Sequence, residues 1–115
     1  MQTVVELPAY LRKANKLFTQ TELKDVVDYI ATYPEAGDEI PGTGGLRKLR
    51  FAAKGQGKRS GARVVYFWYT EAIPIYLIAC YGKNEKADLT SDQKKAAMTF
   101  ASATKAKAKQ KRVKK

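Results

Sequence analysis

The 115-residue chain has no histidine and a single cysteine. Without histidine it lacks the commonest general base and metal ligand of neutral pH. A lone Cys80 excludes a disulfide framework and any zinc site built on cysteine pairs. Within the apolar run IPIYLIACYG, and with no histidine to activate it, Cys80 is expected to be a buried, inert thiol. No apolar run approaches the roughly 18 residues of a membrane-spanning helix. The opening MQTVVELPAY lacks the basic start and apolar stretch of a signal peptide. GTGG lacks the spacing of a phosphate-binding P-loop. The expectation is one soluble, cytoplasmic domain with no membrane partner, cofactor or metal.

Positive charge is plentiful: 22 Lys and Arg against 11 Asp and Glu give a formal charge of +11. It is unevenly spread. Residues 1–45 carry −3, residues 46–70 carry +7, residues 71–103 are neutral and residues 104–115 carry +7. The tail TKAKAKQKRVKK has almost nothing to bury, so residues 104–115 read as a helix extension or a disordered arm. They are either solvated or held against the phosphates of a polyanion. The middle block (Arg47, Lys48, Arg50, Lys54, Lys58, Arg59 and Arg63, with no acid) is interleaved with Leu, Phe, Val, Tyr and Trp. That mixture belongs to folded structure.

Local patterns predict the elements. Val4 and Val5 mark a short strand. Leu11, Ala14 and Phe18 lie at helical spacing. Thr19 and Glu22 form a capping box ahead of Leu23, Val26, Val27 and Ile30, which mark a second helix ended by Pro34 and Gly37. GDEIPGTGG reads as a loop. In LRKLRFAAK, Leu49, Phe51 and Ala53 alternate with Lys48, Arg50 and Lys54, which predicts a half-buried strand with a basic face. GQGKRSG reads as a hairpin, ARVVYFWYT as a central strand and IPIYLIACYG as its partner. Thr90 and Gln93 form a second capping box before a last helix running to about Lys107. The order is β-α-α-β-β-β-α, an α+β fold whose small sheet is antiparallel or mixed, with helices on one face.

A strand that alternates cation and hydrophobe spaces its cations roughly 6–7 Å apart on one face, close to the phosphate spacing of a nucleic acid strand. Arg63 opens the next strand and can join that face. A polyanion would offset the mutual repulsion of these cations. If about five phosphates of single-stranded RNA were held, log K should fall with log salt at a slope of roughly −3.5. The other reading is a solvated basic surface. KGQGKRSG is either a plain hairpin or an RNA-contacting loop. Tyr66, Trp68 and Tyr76 are core residues or base-stacking platforms. Glu85 and Asp88 are acid/base groups, or else a solvated turn and helix start.

GTGGLRKLRFAAKGQGKRSGARVVYFWY and IYLIACYGKNEKADL, in residues 42–89, resemble the RelE/ParE superfamily of bacterial type II toxins, nearest its HigB-like branch. The resemblance spans residues 3–103 in element order, implying a toxin domain over 1–103 with the basic tail outside it. It implies two N-terminal helices, a small sheet and one C-terminal helix. It also implies ribosome-dependent cleavage of mRNA and neutralisation by a cognate antitoxin.

The family's catalytic pattern has basic residues on the second strand, an arginine opening the third, and an arginine and a tyrosine after the last. Lys48 and Arg50 match the first pair and Arg63 the next position. Asn84 stands in place of the second arginine, and Thr90 in place of the tyrosine. The resemblance therefore implies a metal-independent endoribonuclease in which the 2′-hydroxyl attacks and a 2′,3′-cyclic phosphate is left. In it Arg63 and Arg50 would clamp the phosphate. Lys48 or Lys54 would act as base, and Tyr81 or Lys83 would protonate the leaving oxygen. Arg47, Lys54, Lys58, Arg59, Asn84 and Lys86 would bind RNA. The competing expectations are a ParE-like poison of DNA gyrase and a non-catalytic nucleic-acid-binding module.

Overall fold

The computed structural model describes residues 2–54, 61–82, 85 and 91–113, the side chains of residues 93 and 109–113 excepted. The elements are β1 (Val4–Glu6), α1 (Pro8–Leu17), α2 (Gln20–Thr32), β2 (Asp38–Glu39), β3 (Leu46–Phe51), β4 (Ala62–Phe67), β5 (Ile75–Gly82) and α3 (Ser91–Val113). The strands form one sheet in the order β1-β5-β4-β3-β2. β1 runs parallel to β5 and the other neighbours are antiparallel, so this is a mixed sheet in an α+β fold.

The helix starts follow from local chemistry. Pro8 opens α1, where its missing N–H is no loss. The expected capping box begins α2: Thr19 Oγ1 accepts from the Glu22 N–H at 3.2 Å, and Glu22 Oε1 accepts from the Thr19 N–H at 2.9 Å. Glu22 Oε1 also accepts from the Lys54 N–H at 2.8 Å, tying the segment after β3 to the start of α2.

The segment 37–45, expected as a loop throughout, contributes the short edge strand β2. Asp38 pairs with Lys48 and Glu39 with Arg47. No local propensity favours a strand there; tertiary anchors supply it. The Tyr66 hydroxyl donates to Pro34 O at 2.7 Å and accepts from the Gly37 N–H at 2.9 Å. The rest of the segment is a loop as expected. Gly42, Gly44 and Gly45 take φ of 76°, 78° and 129°, which only glycine adopts freely.

The sheet is covered on both faces, which corrects the expectation of helices on one. On one face Val64, Tyr66, Leu77 and Cys80 pack against Tyr10, Ala14 and Phe18 of the α1 segment and Val26 and Ile30 of α2. On the other, Leu46, Val65 and Phe67 pack with Ala101 and Ala108 of α3, flanked by Phe100. The Phe100 ring stands edge-on to Phe67 and Tyr76, with centroids 5.5 and 5.4 Å away. The cause lies in β4. Val64 and Tyr66 project one way and Val65 and Phe67 the other, and all four are essentially solvent-free, so both sides need cover. The last helix continues beyond Lys107 to Val113, so the basic tail extends it to that residue. Among the described residues, no helix is long and apolar enough to cross a membrane.

Candidate active site

Alternation along β3 sends Arg47, Leu49 and Phe51 toward α1 and α2, and Leu46, Lys48 and Arg50 toward the face that α3 partly covers. The pairing register then aligns three strands. Arg50 on β3 is the direct partner of Arg63 on β4, and Arg63 is the direct partner of Tyr81 on β5. Directly opposed side chains in such a ladder start about 5 Å apart. The result is a row Arg50–Arg63–Tyr81 on one face. Lys48 sits one pleat along from Arg50 on the same face, beside Val65.

A β-bulge makes this row possible. Tyr66 pairs with Leu77, but Val65 pairs with Ala79, so the register shifts between Val65 and Tyr66. Without that shift Cys80 would stand opposite Arg63. With it, Tyr81 does, and Cys80 turns into the α1/α2 core. Leu46, Val65, Ala79 and Tyr81, together with Ala97 and Phe100 of α3, line an apolar crevice of ≈ 270 Å³ beside the row. Burial pushes the Tyr81 phenol up from its ordinary value, with the negative Glu85 carboxylate adding. At neutral pH Tyr81 is therefore a protonated hydroxyl able to donate.

The remaining sequence candidates divide. Arg47 lies on the face opposite Lys48, Arg50 and Arg63. Its side chain is 15% exposed. Its Nη1 donates to Glu35 O at 3.1 Å and Gly37 O at 2.8 Å, and its Nη2 donates to Glu39 Oε1 at 3.2 Å. Its guanidinium also lies 5.9 Å from the Trp68 ring centroid. Arg47 pins the edge strand. The signal was available in the sequence, since residue 47 shares the parity of Leu49 and Phe51. Lys54 is exposed just past β3, with φ of 51°. Lys58, Arg59, Lys83, Asn84, Lys86, Asp88 and Thr90 lie outside the described residues.

Tyr66 is fully buried, the Trp68 Nε1–H donates to Gln2 Oε1 at 3.1 Å, and Tyr76 packs on Phe100, so these rings serve the core. Cys80 is buried, and burial pushes its thiol up to about 12, as expected of an inert group. Glu85 is no freely solvated turn residue: its carboxylate is paired with Lys13 and held below the ordinary range. Sequence reading missed Asp38. As the partner of Lys48 it places an exposed acid at the edge of the cationic face, and reading the segment as loop hid that pairing.

Residues 10–115 match the family model described as the RelE toxin of the RelE/RelB toxin–antitoxin system. The chain belongs to the RelE toxin family. Its fold is also that of a solved RelE structure: an E. coli RelE toxin with two arginine-to-alanine substitutions, in the free state. The two chains align with a TM-score of 0.54 at 22% identity, over 86% of this chain and 96% of that one. In this RelE-family sheet, the β3 and β4 positions to which the resemblance assigned catalytic cations (Lys48, Arg50 and Arg63) share one face.

Proposed function

We propose that this RelE-family toxin is a metal-independent endoribonuclease that cuts mRNA on the ribosome and is neutralised by a cognate antitoxin. The observation that carries the reading is the cross-strand row Arg50–Arg63–Tyr81 with Lys48 beside it. Two guanidinium groups about 5 Å apart at their origins suit a phosphate gripped from two sides, because each presents a planar fork of donors.

The chemistry follows from these groups. The 2′-hydroxyl attacks the adjacent phosphorus, its proton passing to the amine of Lys48 in its uncharged form. The O2′–P bond forms, and the added negative charge is held by Arg50 and Arg63. The P–O5′ bond then breaks, and the 5′-oxygen takes a proton from the Tyr81 hydroxyl. The products are a 2′,3′-cyclic phosphate and a 5′-hydroxyl end. The chain has no histidine to move protons efficiently. Much of the rate must therefore come from orienting the RNA, which the ribosome and its rRNA supply.

The test is primer extension on cellular mRNA after induced expression. Codon-phased cuts, absent in a folded Arg63→Ala variant, support the reading. Intact mRNA with broken chromosomal DNA would replace it with gyrase poisoning. Unimpaired growth would replace it with a non-catalytic nucleic-acid-binding role.

A further inference from the structure

Glu85 lies three residues past the end of β5 and is tied down at both of its carboxylate oxygens. Its Oε1 accepts from the Gly82 N–H at 2.9 Å, and its own N–H donates to Gly82 O at 3.2 Å. Its Oε2 is paired with Lys13 Nζ of α1. One residue thereby grips the last residue of β5 and ties it to α1. A Cβ at Gly82 would stand 3.0 Å from Glu85 Oε1 and 3.3 Å from Leu17 Cδ2, so both side-chain ends would have to give by a few tenths of an ångström. The Lys13 and Glu85 side chains are 37% and 38% exposed. Ion pairs so exposed add little to overall stability, which makes a purely structural role a weak reason for the arrangement.

Gly82 directly follows Tyr81. Toward the middle of β5 the bulge sets which side chain faces Arg63, and at the end of β5 the Glu85 clamp fixes the backbone of the next residue. We propose that Glu85 is a positioning residue for RNA cleavage: by gripping Gly82 and Lys13 it holds the end of β5 so that Tyr81 stays opposite Arg63. The inference rests on the nuclease reading above, whereas the clamp itself does not.

The experiment compares wild type with Glu85→Ala, Glu85→Gln and Lys13→Met. Two readouts are used: cleavage kinetics on mRNA-programmed ribosomes, and hydrogen exchange of the Gly82 amide. Glutamine keeps an acceptor oxygen for Gly82, but its amide NH2, a donor, replaces the oxygen paired with Lys13. In Glu85→Ala, kcat should fall roughly tenfold or more with KM unchanged, because a displacement of about 1 Å is costly to a positioned group. Gly82 exchange should accelerate in the same variant. Glu85→Gln and Lys13→Met, which both keep an acceptor for Gly82 and lose the Lys13 pairing, should each retain most of kcat and of the amide protection.

Three results would overturn the proposal: a Glu85→Ala enzyme with wild-type kcat despite a released Gly82 amide, a rise confined to KM, or Gly82 exchange that ignores residue 85. A wild type that cuts nothing would defeat the nuclease reading instead. The Gly82 exchange difference between the Ala and Gln variants would then persist and tell the two failures apart.

Discussion

Arg50 and Arg63 are direct cross-strand partners, so their charges oppose each other wherever no anion lies between them. Like charges at such positions destabilise a sheet by about 0.2–1 kcal/mol. Arg63→Gln removes that repulsion while keeping an extended polar side chain. The free protein should therefore gain stability, seen as a melting temperature higher by about 1–4 °C for a domain of this size. Added salt should shrink the gain, although a separation of about 5 Å lies inside the Debye length of about 10 Å at 0.1 M salt. Function should move the other way. Losing one group that stabilises transition-state charge typically costs about 10²–10³ in rate. The slope of log K against log salt for single-stranded RNA should become shallower by about 0.7, because the variant neutralises one phosphate fewer.

Arg47 is the control. It is also an arginine of β3, but it bonds Glu35 O, Gly37 O and Glu39. Arg47→Gln should lower stability by about 1–3 kcal/mol, since it removes three charge-assisted bonds, of which the one to Gly37 O is part-buried, and should leave the salt slope unchanged. Thermal melts and filter binding across a salt series measure both quantities. If Arg63→Gln melts lower with an unchanged slope, or Arg47→Gln flattens the slope at no thermal cost, the assignment of faces is refuted.

Three other outcomes are expected. Tyr66→Phe should strand the Gly37 N–H and Pro34 O and cost about 1–3 kcal/mol, read as a lower urea midpoint with an unchanged m-value; an unshifted midpoint would deny Tyr66 its role at the edge strand. Burial holds the Cys80 thiol up at about 12, so the native protein should resist iodoacetamide under mildly alkaline conditions and be labelled only as fast as it unfolds. Rapid labelling of native protein would contradict that burial. The hydrogen bond from Lys13, then that from Gly82, hold the Glu85 carboxyl below its ordinary range. The folded value lies below the unfolded one, so this contribution is present above the unfolded carboxylate range of about 4.3 and is lost as pH falls below it. For so exposed a pair it should not exceed about 1 kcal/mol, and Lys13→Met should remove that part of the acid sensitivity.

Features that depend on near neighbours along the chain were legible in the residues alone. The Thr19–Glu22 capping box, the helical period of α2, the alternation of Lys48 and Arg50 with Leu49 and Phe51, and the glycine turn before β3 are local. Each fixes its element through bonds or spacings within a few residues. The same alternation already held the answer for Arg47, which a count of positive charges obscured.

Features that depend on pairing at a distance emerge with the assembled fold. The bulge that sets Tyr81 rather than Cys80 opposite Arg63, the two-residue strand that brings Asp38 to Lys48, and the closure of the second sheet face by α3 all rest on packing between remote segments. A shift of one residue in register exchanges every side chain between the two faces of a strand. The membership of the row Arg50–Arg63–Tyr81 is therefore a property of the assembled sheet.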